Sequence, residues 1–202
     1  MTQPSAADVK ALRDRTGAGM MDCKEALAEA EGDIDRAVEI LRIKGQASVA
    51  KRASRGTGEG VVSAYIHAND QVGAMVEVQC ETDFVARSDE FKAFAYDVAL
   101  HIAGSGARYV SEEDIPESER ENERRILTEE AKEEGLPEDK LEQIVEGRLA
   151  KGLKEIVLLD QEHINADKHE GKTIEELRQD IASKTGENVR IARFAYYRVG
   201  EE

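Results

Sequence analysis

The chain of 202 residues has no tryptophan, and only 4% of it is aromatic. A single core built around large rings is therefore excluded, and the interior has to be aliphatic and divided among small modules. Cysteine is also scarce. Cys23 and Cys80 lie far apart and neither belongs to a CxxC pair, so neither a disulfide framework nor a cysteine-rich zinc site is expected, and the thiols read as reduced. There is no signal-peptide pattern and no apolar run long enough to span a bilayer, so the chain is expected to be cytoplasmic, away from membranes. Positive charge is in short supply too. Twenty-eight Lys and Arg face 43 Asp and Glu, for a formal net charge of −15. Residues 1–60 and 171–202 are balanced, whereas 61–110 carry −4 and 111–170 carry −11. Such a chain repels phosphate backbones, and direct nucleic-acid binding is not expected.

Signatures of chemistry are absent as well. Gly171-Lys172-Thr173 resembles the end of a phosphate-binding loop, but the upstream glycine would fall at Ala166. Gly17-Ala18-Gly19 and Gly104-Ser105-Gly106 lack the third glycine of a dinucleotide loop. His67, His101, His163 and His169 show no paired metal-ligand spacing, so no metal and no cofactor are expected. Cys80 alternates with inward strand residues and reads as a buried thiol rather than a nucleophile.

What is present is a run of well-punctuated elements. Ser5-Ala6-Ala7-Asp8 is a capping-box pattern opening a first helix with Val9 and Leu12 inward, and Gly17 to Gly19 close it. A second helix is predicted from about Met21 to Ala30. Asp33 then caps a third, with Ile34, Ala37, Val38 and Leu41 on one face. Lys44 to Gly60, rich in Ala, Ser and Gly, reads as a linker in which some helix persists around Ala47 to Ala53. Val61 to Ala68 and the run from Val72 to Glu81 alternate as strands around an Asn69-Asp70-Gln71 turn. Phe91, Phe94, Ala95, Val98 and Ile102 follow at helical spacing. Ile126, Leu127 and Ala131, then Leu141, Ile144, Val145, Leu149, Leu153 and Ile156, predict two helices joined by Gly135-Leu136-Pro137 in an antiparallel hairpin. A last helix begins at Thr173, and Val189 to Val199 supplies a third strand. The fold class is α+β: a three-helix bundle, then a three-stranded antiparallel sheet with packed helices and an inserted helical hairpin. The expected divisions are 1–44 (bundle), 45–60 (linker), 61–110 and 159–202 (core) and 111–158 (hairpin).

Thr82 to Arg87 is the turn between the second strand and its helix. The residues alone allow two readings and favour the first. Phe84 is either a staple packed under the first helical turn, with Asp83 as a cap, or a protruding anchor for a partner. For Met20 and Met21, spacing alone favours core filling between helices.

Thr82-Asp83-Phe84-Val85-Ala86-Arg87 resembles the core signature of the bacterial elongation factor Ts family, and Thr16-Gly17-Ala18-Gly19-Met20-Met21-Asp22-Cys23-Lys24-Glu25-Ala26-Leu27 resembles that family's N-terminal signature. Residues 30–41 are similar to ubiquitin-associated domains, whose fold the family's N-terminal module shares. The resemblance implies exchange of guanine nucleotide on elongation factor Tu, without covalent chemistry. It puts Thr82, Asp83, Phe84 and Val85 at the GTPase, where the aromatic disturbs the Mg²⁺ and phosphate site, and Lys10, Arg13, Met20 and Met21 at a second contact. His67 and Arg87 are lesser candidates. Longer members carry two related core halves and this chain has room for one, which implies a homodimer. Gln161-Glu162-His163-Ile164 departs from the family's usual Gln-Pro-Phe-Val, leaving the path there unpredicted. The alternative from another class is a binding adaptor that leaves nucleotide untouched.

Overall fold

The computed structural model describes residues 4–201 as an α+β fold with an antiparallel sheet of order β1-β2-β3. β1 is Glu59–Ile66, β2 Val72–Cys80 and β3 Arg190–Arg198. The chain divides into two compact units. The first holds the chain up to Val61, Val78–Phe94 and Glu176–Arg190; the second holds Val62–Glu77, Ala95–Glu175 and the chain from Ile191.

The first unit opens with α1 (Ala6–Thr16), α2 (Met20–Glu29) and α3 (Ile34–Arg52). The Ser5 hydroxyl accepts the Asp8 N–H, so Ser5 is the N-cap as the sequence predicts, and it donates to the Asp8 carboxylate at 2.6 Å. This is half of the expected capping box, since the carboxylate takes the hydroxyl and not the Ser5 N–H. Gly17 stops α1 in the left-handed conformation, φ 68°, where a side chain is unfavourable. Asp33 caps α3 by accepting the Arg36 N–H. Val9, Leu12, Cys23, Ala26, Leu27, Ala30, Ala37 and Leu41 form the bundle core. Burying Leu12 and Leu27 completely is worth about 1.5–3 kcal/mol each.

α3 does not stop near Lys44, where the linker is expected; it runs to Arg52. Lys44, Gln46, Ala47, Ala50, Lys51 and Arg52 are good helix formers, and Val49 is buried. Gly45 permits close approach here, since a Cβ on it would lie 3.1 Å from the Ser183 hydroxyl of α9 (Ile174–Thr185). The unit also takes in the end of β2, the five-residue α4 (Asp83–Arg87) and the start of α5 (Asp89–Ser105). Val78, Cys80, Ala86, Phe91, Phe94, Ile181, Ala182 and Val189 are buried apolar residues of this unit outside the bundle.

In the second unit, the turn between β1 and β2 is closed by hydrogen bonds from Asp70 N–H to His67 O and from His67 N–H to Val72 O. That register sets Ile66 opposite Gly73 and Ala64 opposite Met75 on the outward face, while Ala74 and Val76 point inward and are buried. The hairpin consists of α6 (Glu117–Glu133) and α7 (Glu138–Ile156). Ile115, Leu149, Leu153 and Val157, with Leu127 and Ile156 against them, form its core. Tyr109 and Val157 pair as a parallel bridge where the chain enters and leaves the hairpin. Its acidic face is knit by exposed pairs, Arg148–Glu134 at 2.6 Å and Arg124–Glu146 at 2.8 Å, which are individually weak. A short α8 (Ala166–His169) precedes α9.

Candidate partner-binding site

Phe84 is 84% exposed. A staple would be buried, so that reading is wrong: no apolar neighbour encloses the ring. The cap assignment to Asp83 is also corrected. Thr82, in extended conformation, is the N-cap of α4, its hydroxyl accepting the Val85 N–H at 3.5 Å. Asp83 is the first helical residue and pairs with Arg87 one turn on at 3.1 Å. Ala86 is buried and Val85 half-buried, so α4 turns its small residues inward and its aromatic outward. At its end the Ser88 hydroxyl donates to Val85 O at 2.8 Å and accepts the Phe91 N–H at 3.3 Å, leading into α5.

The entry to the turn is held by residues that sequence reasoning missed. The Glu187 carboxylate accepts the Glu81 N–H at 3.0 Å and the Thr82 N–H at 3.1 Å on one oxygen, and the Thr82 hydroxyl at 2.6 Å on the other. In return the Glu81 carboxylate accepts the Asn188 N–H at 2.6 Å. Asn188 is buried and donates its side-chain amide to Ala53 O and Arg55 O at 3.2 and 2.9 Å. The available signal was Glu187-Asn188, a polar pair after Gly186 in the short connection between α9 and β3. The Cys80 thiol is buried, donates to Thr82 O at 3.2 Å, and is pushed up to about 11 by burial and then by the Glu187 charge. It is a packing group beneath the turn.

The other expected contact lies in the same unit. Met20 and Met21 are 50% and 63% exposed, which overturns the core assignment from spacing. α2 begins at Met20, and Cys23, Ala26 and Leu27 take its inward face. Lys10 and Arg13 are exposed on α1. The N-terminal turn approaches α9: a Cβ on Gly17 would lie 2.9 Å from Lys184 Cε, and Lys184 pairs with Glu90 of α5 at 2.7 Å. His67 belongs to the second unit, exposed at the β1–β2 turn, where its Nδ1 meets the Tyr65 hydroxyl at 3.0 Å.

The family model for elongation factor Ts matches residues 2–170. The chain belongs to the elongation factor Ts family. An elongation factor Ts of Thermoanaerobacter sp. (strain X514) is 49% identical over 197 residues, covering 98% of this chain and 95% of that protein. One from Carboxydothermus hydrogenoformans is 51% identical over 193 residues, covering 96% and 88%. One from Thermosipho melanesiensis is 46% identical over 197 residues, covering 98% and 99%. No helix among the described residues is long and apolar enough to cross a membrane.

At 161–164, where the sequence leaves the path unpredicted, histidines organise the chain. His163 is buried; its Nε2 donates to Asp97 O at 3.1 Å and its Nδ1 accepts the Asn165 N–H at 3.0 Å. His101, also buried, donates from Nε2 to the Gln161 side chain at 2.8 Å and accepts the Ile164 N–H on Nδ1 at 3.0 Å. The rings of His101, His163 and His169 follow one another with centroid distances of 5.4 and 4.1 Å. Burial pushes His101 down to about 4, and His169 is lowered by burial and then by His163. Both nitrogens of His101 and His163 are committed, and no group of three or more His, Cys, Asp or Glu among the described residues is arranged to hold a metal. These histidines are far apart in sequence, which is why spacing did not link them.

Proposed function

We propose that this elongation factor Ts family chain is the guanine-nucleotide exchange factor for elongation factor Tu in translation elongation, acting in the cytoplasm. The observation that carries it is Phe84, a large apolar side chain presented almost wholly to solvent from a turn pinned by tertiary hydrogen bonds. Aromatic side chains, Phe among them, are enriched at the cores of protein interfaces, where a few buried anchors carry most of the binding energy. The task requires no group transfer. A protein that binds the nucleotide-free GTPase best weakens GDP by the factor by which GDP weakens it. Phe84, flanked by Thr82, Asp83 and Val85, enters the partner and displaces the groups that hold Mg²⁺ and phosphates. With the cation disturbed, the diphosphate charge is less compensated and GDP leaves. Lys10, Arg13, Met20 and Met21 make the second contact, the two thioethers adapting to the partner surface.

The active form is a homodimer joined through the outward sheet face of the second unit. Val62 and Ile66 of β1, Met75 of β2 and Tyr197 of β3 are all exposed there, Tyr197 at 74%. A monomer rarely presents so many large apolar groups on one sheet.

Release of fluorescent GDP from elongation factor Tu tests the reading. The chain is expected to accelerate release strongly and Phe84→Ala to lose most of that acceleration. Binding to elongation factor Tu without accelerated release would instead establish an adaptor. Light scattering is expected to give twice the chain mass of 22.3 kDa, and Ile66→Lys to return it to the single mass; a monomer with full exchange activity would overturn the dimer.

A further inference from the structure

α4 has five residues, and helices below about 12–15 residues are marginal on their own. Because the Phe84 ring touches so little of its own chain, its direction is inherited from the backbone of the turn. The hydrogen bonds that order the entry to that backbone converge on Glu187, half-buried in the connection between α9 and β3. One carboxylate oxygen takes two successive N–H groups, Glu81 and Thr82, that precede the helix and have no helical acceptor. The other takes the Thr82 hydroxyl proton at 2.6 Å, which turns a hydroxyl lone pair toward the Val85 N–H. Glu187 itself is fixed by its neighbour, since Asn188 is tied by its N–H to Glu81 and by its side chain to Ala53 O and Arg55 O.

We propose that Glu187 is a positioning residue for exchange, aiming Phe84 by holding residues 81 and 82, without touching the partner's nucleotide. This rests on the exchange reading above. The chemistry of the acceptor makes a graded prediction. Alanine removes all three bonds. Glutamine keeps one oxygen for the two N–H groups and reverses the third bond, its amide N–H donating to one lone pair of the Thr82 hydroxyl. The hydroxyl keeps the other lone pair for Val85 and turns its own proton to solvent, so the heavy-atom arrangement is retained.

The experiment measures GDP release from elongation factor Tu against factor concentration for the full chain, Glu187→Ala, Glu187→Gln, Phe84→Ala and the Phe84→Ala/Glu187→Ala pair. Amide hydrogen exchange at Glu81 and Thr82 is followed in the free proteins. The release rate at saturating Glu187→Ala should fall about tenfold or more, as displacement of a working group does, with a smaller change in the half-saturating concentration. Glu187→Gln, which keeps the geometry but gives up the charge-assisted strength of the bonds, should recover most of the loss, to within about threefold of the full chain. In the Phe84→Ala background, losing Glu187 should cost little more, because the group it aims is gone. The amides of Glu81 and Thr82 should exchange faster in Glu187→Ala while those of α1 to α3 do not. A saturating rate unchanged by Glu187→Ala, or the same further loss with and without Phe84, would overturn the proposal. So would unchanged amide protection, which is read without any partner. If Glu187→Ala does not fold, Glu187→Asp decides: its shorter carboxylate cannot reach the Glu81 and Thr82 N–H groups and the Thr82 hydroxyl together. It should lower the saturating rate and speed exchange of those two amides, and an unchanged rate counts against the proposal. A normal rate for Phe84→Ala defeats the exchange reading, and the amide measurement still judges Glu187.

Discussion

The Thr82 turn hangs on a carboxylate, whereas residues 161–165 hang on two imidazoles. Glu187 accepts the N–H groups of Glu81 and Thr82 in the first unit; His101 and His163 accept those of Ile164 and Asn165 in the second. Both solve the same problem, an irregular backbone whose N–H groups have no ladder partner. They differ in charge and depth. Glu187 is half-buried and keeps water beside its charge. His101 is sealed off, where a charged group would be costly, and a neutral ring nitrogen provides the acceptor. A charged clamp therefore holds an exposed turn, and an uncharged clamp holds a buried one.

Separating exchange from stability breaks the comparison most sharply. Phe84→Ala should reduce acceleration of GDP release by about 30-fold or more, as losing an interface centre does, while its melting temperature stays within a degree or two because almost none of the ring is buried. His101→Ala should do the reverse, lowering unfolding free energy by about 3 kcal/mol through a cavity and an unpaired Ile164 N–H, with exchange near normal well below its melting point. Denaturant titration and stopped-flow release on both variants check this pair. A destabilised Phe84→Ala protein with normal exchange would invert the two regions' roles.

Acid should loosen the imidazole clamp. His101 sits at about 4 in the folded chain against an ordinary 6.5, so the unfolded chain binds the extra proton between these values and stability rises with pH there. The contribution is complete above about 6.5, declines as pH falls toward about 4 and is then exhausted, to a total of roughly 3 kcal/mol. Protonation of Nδ1 would also set a donor against the Ile164 N–H. The groups facing the histidine row are Gln161, Asp97, Lys168 and Lys172. Urea midpoints at pH 4.5 and 7.5 should differ less in His101→Ala than in the unaltered chain; equal differences would rule His101 out as the source.

The smallest effect belongs to the exposed pair on α4. Arg87→Ala should change stability by less than about 0.5 kcal/mol, since Arg87 and Asp83 are largely solvated. Asp83→Ala should be equally mild on stability, because Thr82 is the cap, yet slow GDP release. If Asp83→Ala melts early instead, the carboxylate supports the turn and the contrast between working and structural residues narrows.

Element types were legible wherever a periodic apolar pattern met a local stop signal. Ser5, Gly17 and Asp33 mark helix ends through bonds made within a few residues, and alternation from Ala74 to Cys80 records which face of β2 is buried. The Thr82–Arg87 stretch was recognisable because its composition is unusual. Two readings failed where composition or spacing was weighed in place of helix propensity and face. Gly45 and Ser48 read as linker composition although their neighbours carry α3 on to Arg52, and the methionines faced out because Cys23, Ala26 and Leu27 filled the inward side of α2.

The sequence by itself determined the α+β plan, the family and the identity of the turn, because propensity, capping and hydrophobic period act over a few residues along the chain. Only the tertiary structure decided that Phe84 points to water, that Glu187 holds the turn from 105 residues away, and that His101 meets a backbone N–H 63 residues on. A hydrogen-bond acceptor acts over about 3 Å of space, and sequence separation carries no record of that distance.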